Sequence, residues 1–408
     1  MASEFRALWP LDPAIDFLTH GTFGAAPTAV LDAQTAFRQR MEADPIAFFS
    51  RDLEPMLDAA RASLGAFVGA DPDDLAFTDN ATTAVNAVLR WLPLEPGDEL
   101  LTTDHEYNAC RNVLAAVAAT TGAQVVTVPL PFPTAGPEDV QARILAAVTP
   151  RTRLAVLDHI TSATALVFPI EELVAELAAR GVDTLVDGAH APGQLDVNVD
   201  RLGAAYYAGN LHKWVCAPKG AGFIHVRRDR QAGYHPLVVS HGANSDRTDR
   251  SRFRLESDWT GTRDPTAWLA VPVAIDYIGG LLPGGWSAVR LRNRDLALRA
   301  RDLLCTALAT TAPAPDAMIG SMASVPLPEV EVAGRVQGVD LYGDPVHDGL
   351  LARGLQVMVT PWPQRPGDGP WRRLIRISAA LHNDLEQFER LASALLEVLT
   401  ERPATATG

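Results

Sequence analysis

Between residues 75 and 227 the chain repeats one pattern, a short apolar run followed by a longer Ala-, Leu- and Arg-rich stretch. The short runs are LAFT (75–78), ELLTT (99–103), AQVVTVPL (123–130), RLAVLDHI (153–160), DTLVDGA (183–189), AAYYAG (204–209) and AGFIHVR (221–227). Helical segments begin at 81 (ATTAVNAVLRWL), 108 (NACRNVLAAVAATT), 137 (PEDVQARILAAV) and 169 (PIEELVAELAARG). A strand that is apolar on both faces must be covered on both faces. Helical crossovers between such strands make them parallel. The pattern predicts an α/β fold with a mostly parallel seven-stranded sheet covered by helices. Apolar residues at 47% and charged residues at 21% are compatible with a core of that kind.

The alternation ends near residue 228, and 229–262 reads as a polar, irregular loop. A helix is expected at 265–279, a Gly-Pro break after it, and a long helix at 286–310. The chain then divides into an N-terminal segment (1–25), a large domain (26–265), a linking helix (266–285) and a small α+β domain (286–408). The small domain would hold strands EVEVAG (329–334), LQVMVT (355–360) and RLIRISAA (373–380), with a last helix at 384–400. The final residues, 401–408, are expected to fray.

Several classes of function are disfavoured. The formal charge is −14, and phosphate backbones need a basic footprint, so no nucleic-acid partner is expected. Three cysteines (Cys110, Cys216, Cys305) without a CxxC pair fit a reducing cytoplasm. The opening residues lack the apolar core of a signal peptide. No apolar run approaches the ~20 residues of a membrane span. A soluble cytoplasmic protein is expected. No GxGxxG or Walker-type glycine loop lies at a strand–helix junction, and no HxxxH or HExxH spacing occurs, so neither a nucleotide nor a metal is expected.

The strongest local signal is TLVDGAHAPGQ (184–194) followed by YYAGNLHKW (206–214). Asp187 ends an apolar strand, so its carboxylate emerges at the carboxyl edge of a parallel sheet, where ligands bind. Lys213 follows the next strand, 26 residues later. Taken singly, Asp187 could cap a turn and Lys213 could be a surface lysine. One cofactor uses both. Pyridoxal phosphate forms a Schiff base with a lysine and pairs its pyridinium nitrogen with a carboxylate.

These motifs, with DFLTHGTFGAAP (16–27) and RLIRISAA at the two ends, resemble the class V, fold-type I pyridoxal-phosphate enzymes over nearly the whole chain. Similarity is greatest to the isopenicillin N epimerase-like branch, related to cysteine desulfurases and C–S lyases. The resemblance implies that Lys213 carries the Schiff base, Asp187 pairs with the ring nitrogen and His190 bonds the ring hydroxyl oxygen. Ala81, Thr82 and Thr83 stand where the family grips the cofactor phosphate. A strand–helix junction suits an anion, because free amides and the helix dipole point at it. Asn210 and His212 match the second pair of phosphate contacts. Tyr107, in EYNA, matches the ring stacked on the pyridine, with His105 its rival if the register slips by two.

His159 matches a position that contacts the ring oxygen or the substrate, although many relatives have Asn there. Ser162 is a second candidate in the same loop. Arg376, in LIRIS, matches the arginine that holds the substrate α-carboxylate through two parallel hydrogen bonds. Thr262, in GTRDP, matches a threonine that reaches the phosphate of a neighbouring subunit, which implies a homodimer with a composite site. His20 and Gly21 stand where the family lines the substrate pocket, and Arg51, in FFSRDL, is a further candidate substrate contact.

The resemblance implies a small amino-acid substrate, with Lys213 as the base that moves its α-proton. Returning the proton to the opposite face gives epimerisation. Returning it to the cofactor gives transamination, and expelling a β-substituent gives a lyase. Residues 355–378 contain no cysteine, so persulfide-forming desulfurase chemistry is not expected. The leading expectation is an epimerase-like enzyme, with a C–S lyase second and an aminotransferase third. A decayed, purely binding relative is opposed by intact Lys213, Asp187 and Arg376.

Overall fold

The apolar runs of the first half form one sheet in a computed structural model that describes residues 3–328, 343–363 and 372–400. Its strands are β1 (Leu75–Thr78), β2 (Glu99–Thr103), β3 (Gln124–Val128), β4 (Thr152–Asp158), β5 (Asp183–Gly188), β6 (Tyr206–Asn210) and β7 (Gly222–Val226). The spatial order is β1-β7-β6-β5-β4-β2-β3. Neighbours from β3 through β6 run parallel, and β7 is antiparallel to both β6 and β1. Successive side chains of a strand point to opposite faces. Leu154, Val156 and Leu185 therefore pack into one apolar cluster, and Ala155, Leu157 and Val186 into another.

Each cluster has its own helices. Helix α1 (Thr28–Ala43), α2 (Leu53–Val68), α5 (Pro137–Ala146) and α6 (Ile170–Ala179) bury residues in the second cluster. Helices α3 (Ala81–Trp91) and α4 (Asn108–Thr121) cover the first. No helix was expected before residue 75. The spacing Leu53, Leu57, Ala60, Leu64, Val68 is nonetheless the three-to-four repeat of an amphipathic helix.

A second, antiparallel sheet has strands β8 (Met322–Pro326), β9 (Met358–Trp362) and β10 (Arg372–Ser378), in the order β9-β10-β8. Helices α8 (Gly285–Ala307) and α9 (Leu385–Thr400) pack on each other beside it. The expected strand LQVMVT proves to be two. Leu355–Gln356 pairs with Asp16–Phe17, and β9 pairs with β10, so the chain changes partners at Val357. The helix expected at 265–279 is likewise two pieces, Thr266–Leu269 and α7 (Val271–Gly280). Pro272 has no amide to donate and suits a helix start. The stretch read as irregular contains the helix Arg252–Asp258, capped by Ser251 Oγ, which accepts from the Arg254 amide at 3.2 Å. Segments 329–334 and 401–408 lie outside the described residues. Among the described residues no single helix is long and apolar enough to cross a membrane.

The N-terminal segment joins the two sheets. The Ser378 amide donates to Leu18 O at 2.8 Å, and the Gly21 amide donates to Ser378 Oγ at 3.1 Å. Residues His20–Phe23 form one helical turn that ends at Gly24, with φ +69°. A Cβ at Gly24 would lie 2.0 Å from His212 O and 2.9 Å from Lys213 Cα, so only glycine lets the arm lie against that loop. Gly203 has a similar φ of +72° but open space around it. Gly203→Ala is expected to cost about 1–2 kcal/mol of unfolding free energy, the left-handed penalty alone. Gly24→Ala should cost clearly more, because backbone atoms must also move. Urea unfolding of the two variants checks this; equal losses would contradict the clamped arm.

Candidate active site

The carboxyl ends of β4, β5 and β6 converge on one cleft, the usual ligand position in a parallel sheet. Asp187 stands one residue from the end of β5 and is 3% exposed. Its Oδ1 accepts the Ala189 amide at 2.9 Å and its Oδ2 accepts the Cys110 thiol at 3.3 Å. Burial raises its pKa, against those two donors and the charge of Lys213. Gly188 follows because the Tyr207 ring lies against it. A Cβ there would be 2.3 Å from Tyr207 Cζ.

Lys213 follows β6 by three residues, and its Nζ lies 3.1 Å from His190 Nε2. Burial, then the Arg376 charge, lowers its pKa from 10.5 to about 7. Near neutral pH a large share of the amine is therefore free to act as nucleophile or base. His190 is held neutral by burial and by the charge of Lys213. Its Nδ1 is buried and finds no partner among the described residues.

One end of the cleft is the start of α3. Asn80 caps it, accepting the Thr83 amide at 2.9 Å, and Asn210 Oδ1 accepts the Ala81 amide at 2.8 Å. These bonds fix the turn, and the Thr82 amide has no partner among the described residues. His212 lines the same cavity of about 610 Å³. Its Nδ1 lies 3.1 Å from Ala221 O, and burial and Lys213 pull its pKa to about 4.

A second cavity of about 230 Å³ adjoins the first, sharing Thr22, Phe23, Tyr107, Ser162 and Lys213. Arg376 reaches it from the middle strand of the small sheet and is 1% exposed. One terminal nitrogen donates to Ser162 O at 2.6 Å, and the other to Thr22 Oγ1 at 2.8 Å. Gly21 lines this cavity too. A Cβ on Gly21 would lie 2.4 Å from Met322 Sδ.

Other expected site residues lie elsewhere. His159 Nδ1 is 3.0 Å from Tyr207 Oη, and His159 is absent from the lining of both cavities, whereas Ser162 lines both. His20 is fully buried behind the lysine. Its Nε2 is 3.0 Å from Lys213 O and its Nδ1 is 3.1 Å from His382 Nε2. It supports the Lys213 backbone without reaching the cleft. His105 is turned into the core, 2.7 Å from Thr164 Oγ1, and the half-exposed Tyr107 lines the cleft instead. Arg51 is exposed and lines neither cavity, and Thr262, expected to reach the site of a neighbouring subunit, is exposed.

The sequence reading missed the acids beneath Asp187. Glu106 and Asp158 are buried, and burial together with neighbouring carboxylate charge pushes both well above the usual range. Cys110 Sγ lies within 4.8 Å of a ligand oxygen of both Glu106 and Asp187. The acidic residues in HEYNAC and VLDH were the available signal, but nothing in either segment shows that the two meet.

The residues can be tested against pyridoxal phosphate. A buried carboxylate without an ion pair among the described residues would meet the ring nitrogen, and the amine beside it can be neutral. The orphaned His190 Nδ1 shows a buried polar group in want of a partner at the same place, and the α3 terminus offers an open amide to an anion. The residues fit the group.

Comparison with known proteins agrees. The family model Aminotransferase class-V matches residues 22–391. An isopenicillin N epimerase from Amycolatopsis lactamdurans is 40% identical over 95% of this chain and 96% of its own length. A putative L-cysteine desulfhydrase 2 from Oryza sativa is 34% identical over 96% of this chain and 86% of its own. The fold matches that of the cysteine desulfurase CsdA from Escherichia coli, with TM-score 0.78, 22% identity and coverage of 97% and 98% of the two chains. The chain belongs to the class V aminotransferase family of pyridoxal-phosphate enzymes.

Proposed function

We propose that this enzyme moves the α-proton of an amino-acid substrate and that its reaction is epimerisation. The observation that carries the reading is the substrate cavity. Besides Lys213 and Arg376 it is lined by Phe23, Asn108, Met358 and Pro361, and its volume of about 230 Å³ is more room than a cysteine side chain fills. The relative named isopenicillin N epimerase supports the same choice.

When bound, pyridoxal phosphate supplies an electron sink for the pair left on the α-carbon. The chain's own residues do the rest. Asn210 and the first turn of α3 would hold the phosphate, Asp187 the ring nitrogen and His190 the ring oxygen. Arg376, steadied by Ser162 and Thr22, grips the α-carboxylate. Lys213 takes the α-proton as a free amine. The hydroxyls of Thr22, Tyr107, Ser162 and Thr360 share the cavity with it. A proton delivered by one of them to the face away from Lys213 inverts the centre. Burial raises the Tyr107 pKa, so its hydroxyl stays protonated and can donate.

The relative named a putative L-cysteine desulfhydrase favours a second reading, β-elimination of a thiol. Persulfide chemistry has no support, since all three thiols are buried, and burial raises the pKa of each. A homodimer in which Thr262 of a second copy reaches this cofactor site belongs to the same proposal.

Proton NMR in D2O with L- and D-amino acids and cysteine conjugates separates the readings. Loss of the α-proton signal with both configurations appearing is the expected result. Pyruvate, ammonia and a free thiol would replace it with the lyase. Arg376→Gln should raise the substrate KM about 10- to 100-fold, the worth of a charge-assisted pair. The same variant tests the amine. Capture of pyridoxal phosphate by apo-enzyme requires neutral Lys213, so its rate should fall as pH drops through about 7. The Arg376 charge depresses that pKa, so its removal should move the midpoint to higher pH. An unmoved midpoint would contradict the coupling.

A further inference from the structure

Of the 35 basic residues in this chain only two are lysines, Lys213 and Lys219; the other 33 are arginines. The two stand six residues apart, and both line the larger cavity. An ammonium is a compact point charge with three donors, which the planar guanidinium fork imitates only in part. Lys213 accounts for the first lysine as the Schiff-base amine. The site described above leaves the second unused.

Lys219 stands at the α3 end of the cavity, with Asn80, Thr82, Thr83 and His212. The residue is exposed, and its Nζ donates to Gly24 O at 3.0 Å. The carboxylate at this end, Asp79, is ion-paired to Arg263. Lys219 has no ion pair of its own among the described residues. His212 beside it is neutral, since burial and the charges of Lys213 and Lys219 depress its pKa. A cation without a carboxylate, next to an open helix amide at the end of a cavity, is what a phosphate dianion needs.

We propose that Lys219 is the counter-charge of the cofactor phosphate, and that through Gly24 O it ties the N-terminal arm to the occupied cofactor site. One N–H holds the arm and two remain for phosphate oxygens. The arm residues Gly21, Thr22 and Phe23 line the substrate cavity. Loading the cofactor thus fastens the segment that completes the place for the substrate.

The test compares pyridoxal phosphate with pyridoxal, which lacks the phosphate, in absorbance titrations of apo-enzyme. Lys219→Met should weaken pyridoxal phosphate about 10- to 100-fold and pyridoxal by less than about twofold. Lys219→Arg keeps the charge and should recover part of the preference, which guards against a folding defect in the first variant. Amide hydrogen exchange over residues 19–25 should slow when pyridoxal phosphate binds the wild type, and slow far less in Lys219→Met. Equal weakening of both ligands, or of neither, in a folded variant would overturn the phosphate role. Unchanged arm protection would overturn the tie.

Discussion

A buried carboxylate, Asp187, and a partly buried amine, Lys213, follow neighbouring parallel strands into one cleft, and much of the molecule serves that placement. Burial disfavours the charge on each: it raises the Asp187 pKa and, with the Arg376 charge, brings that of Lys213 to about 7. The surroundings hold both against that cost. Gly188 admits the Tyr207 ring beneath Asp187, and Gly24 admits the N-terminal arm against the Lys213 loop. Behind the lysine, His20 links the Lys213 carbonyl to His382. A cofactor that joins covalently to the amine and presents a cation to the carboxylate resolves both costs at once.

The acids under Asp187 refine this balance. Glu106 and Asp158 face the same buried region, and burial with mutual repulsion favours their protonated forms. Asp187 accepts the Ala189 amide and the Cys110 thiol and also feels the charge of Lys213, so it is the group best able to keep the negative charge. One anion among three acids is the arrangement that a single ring cation would match. Cys110 acts here as a hydrogen-bond donor, far from the role of a sulfur nucleophile.

The fold class was legible because strands buried on both faces carry little else but apolar residues. Asp187 and Lys213 were legible because a charged residue at the end of such a strand stands out. What the pattern could not show was which side chains turn into the cleft. His159 and Ser162 lie three residues apart in one loop, yet His159 turns to Tyr207 while Ser162 meets Arg376. His20 looks like a pocket residue in sequence and is instead packed among Phe17, Trp214 and His382. Arg51 looks like a substrate contact in sequence and is instead exposed, away from both cavities. Lys219 could have been singled out by its rarity alone.

Because the chain has just two lysines, one measurement addresses the central claim directly. The holoenzyme is reduced with borohydride, digested, and the phosphopyridoxyl group located by mass spectrometry. The account predicts the label on Lys213 alone. A label on Lys219, or an unlabelled chain that still turns over substrate, would contradict it.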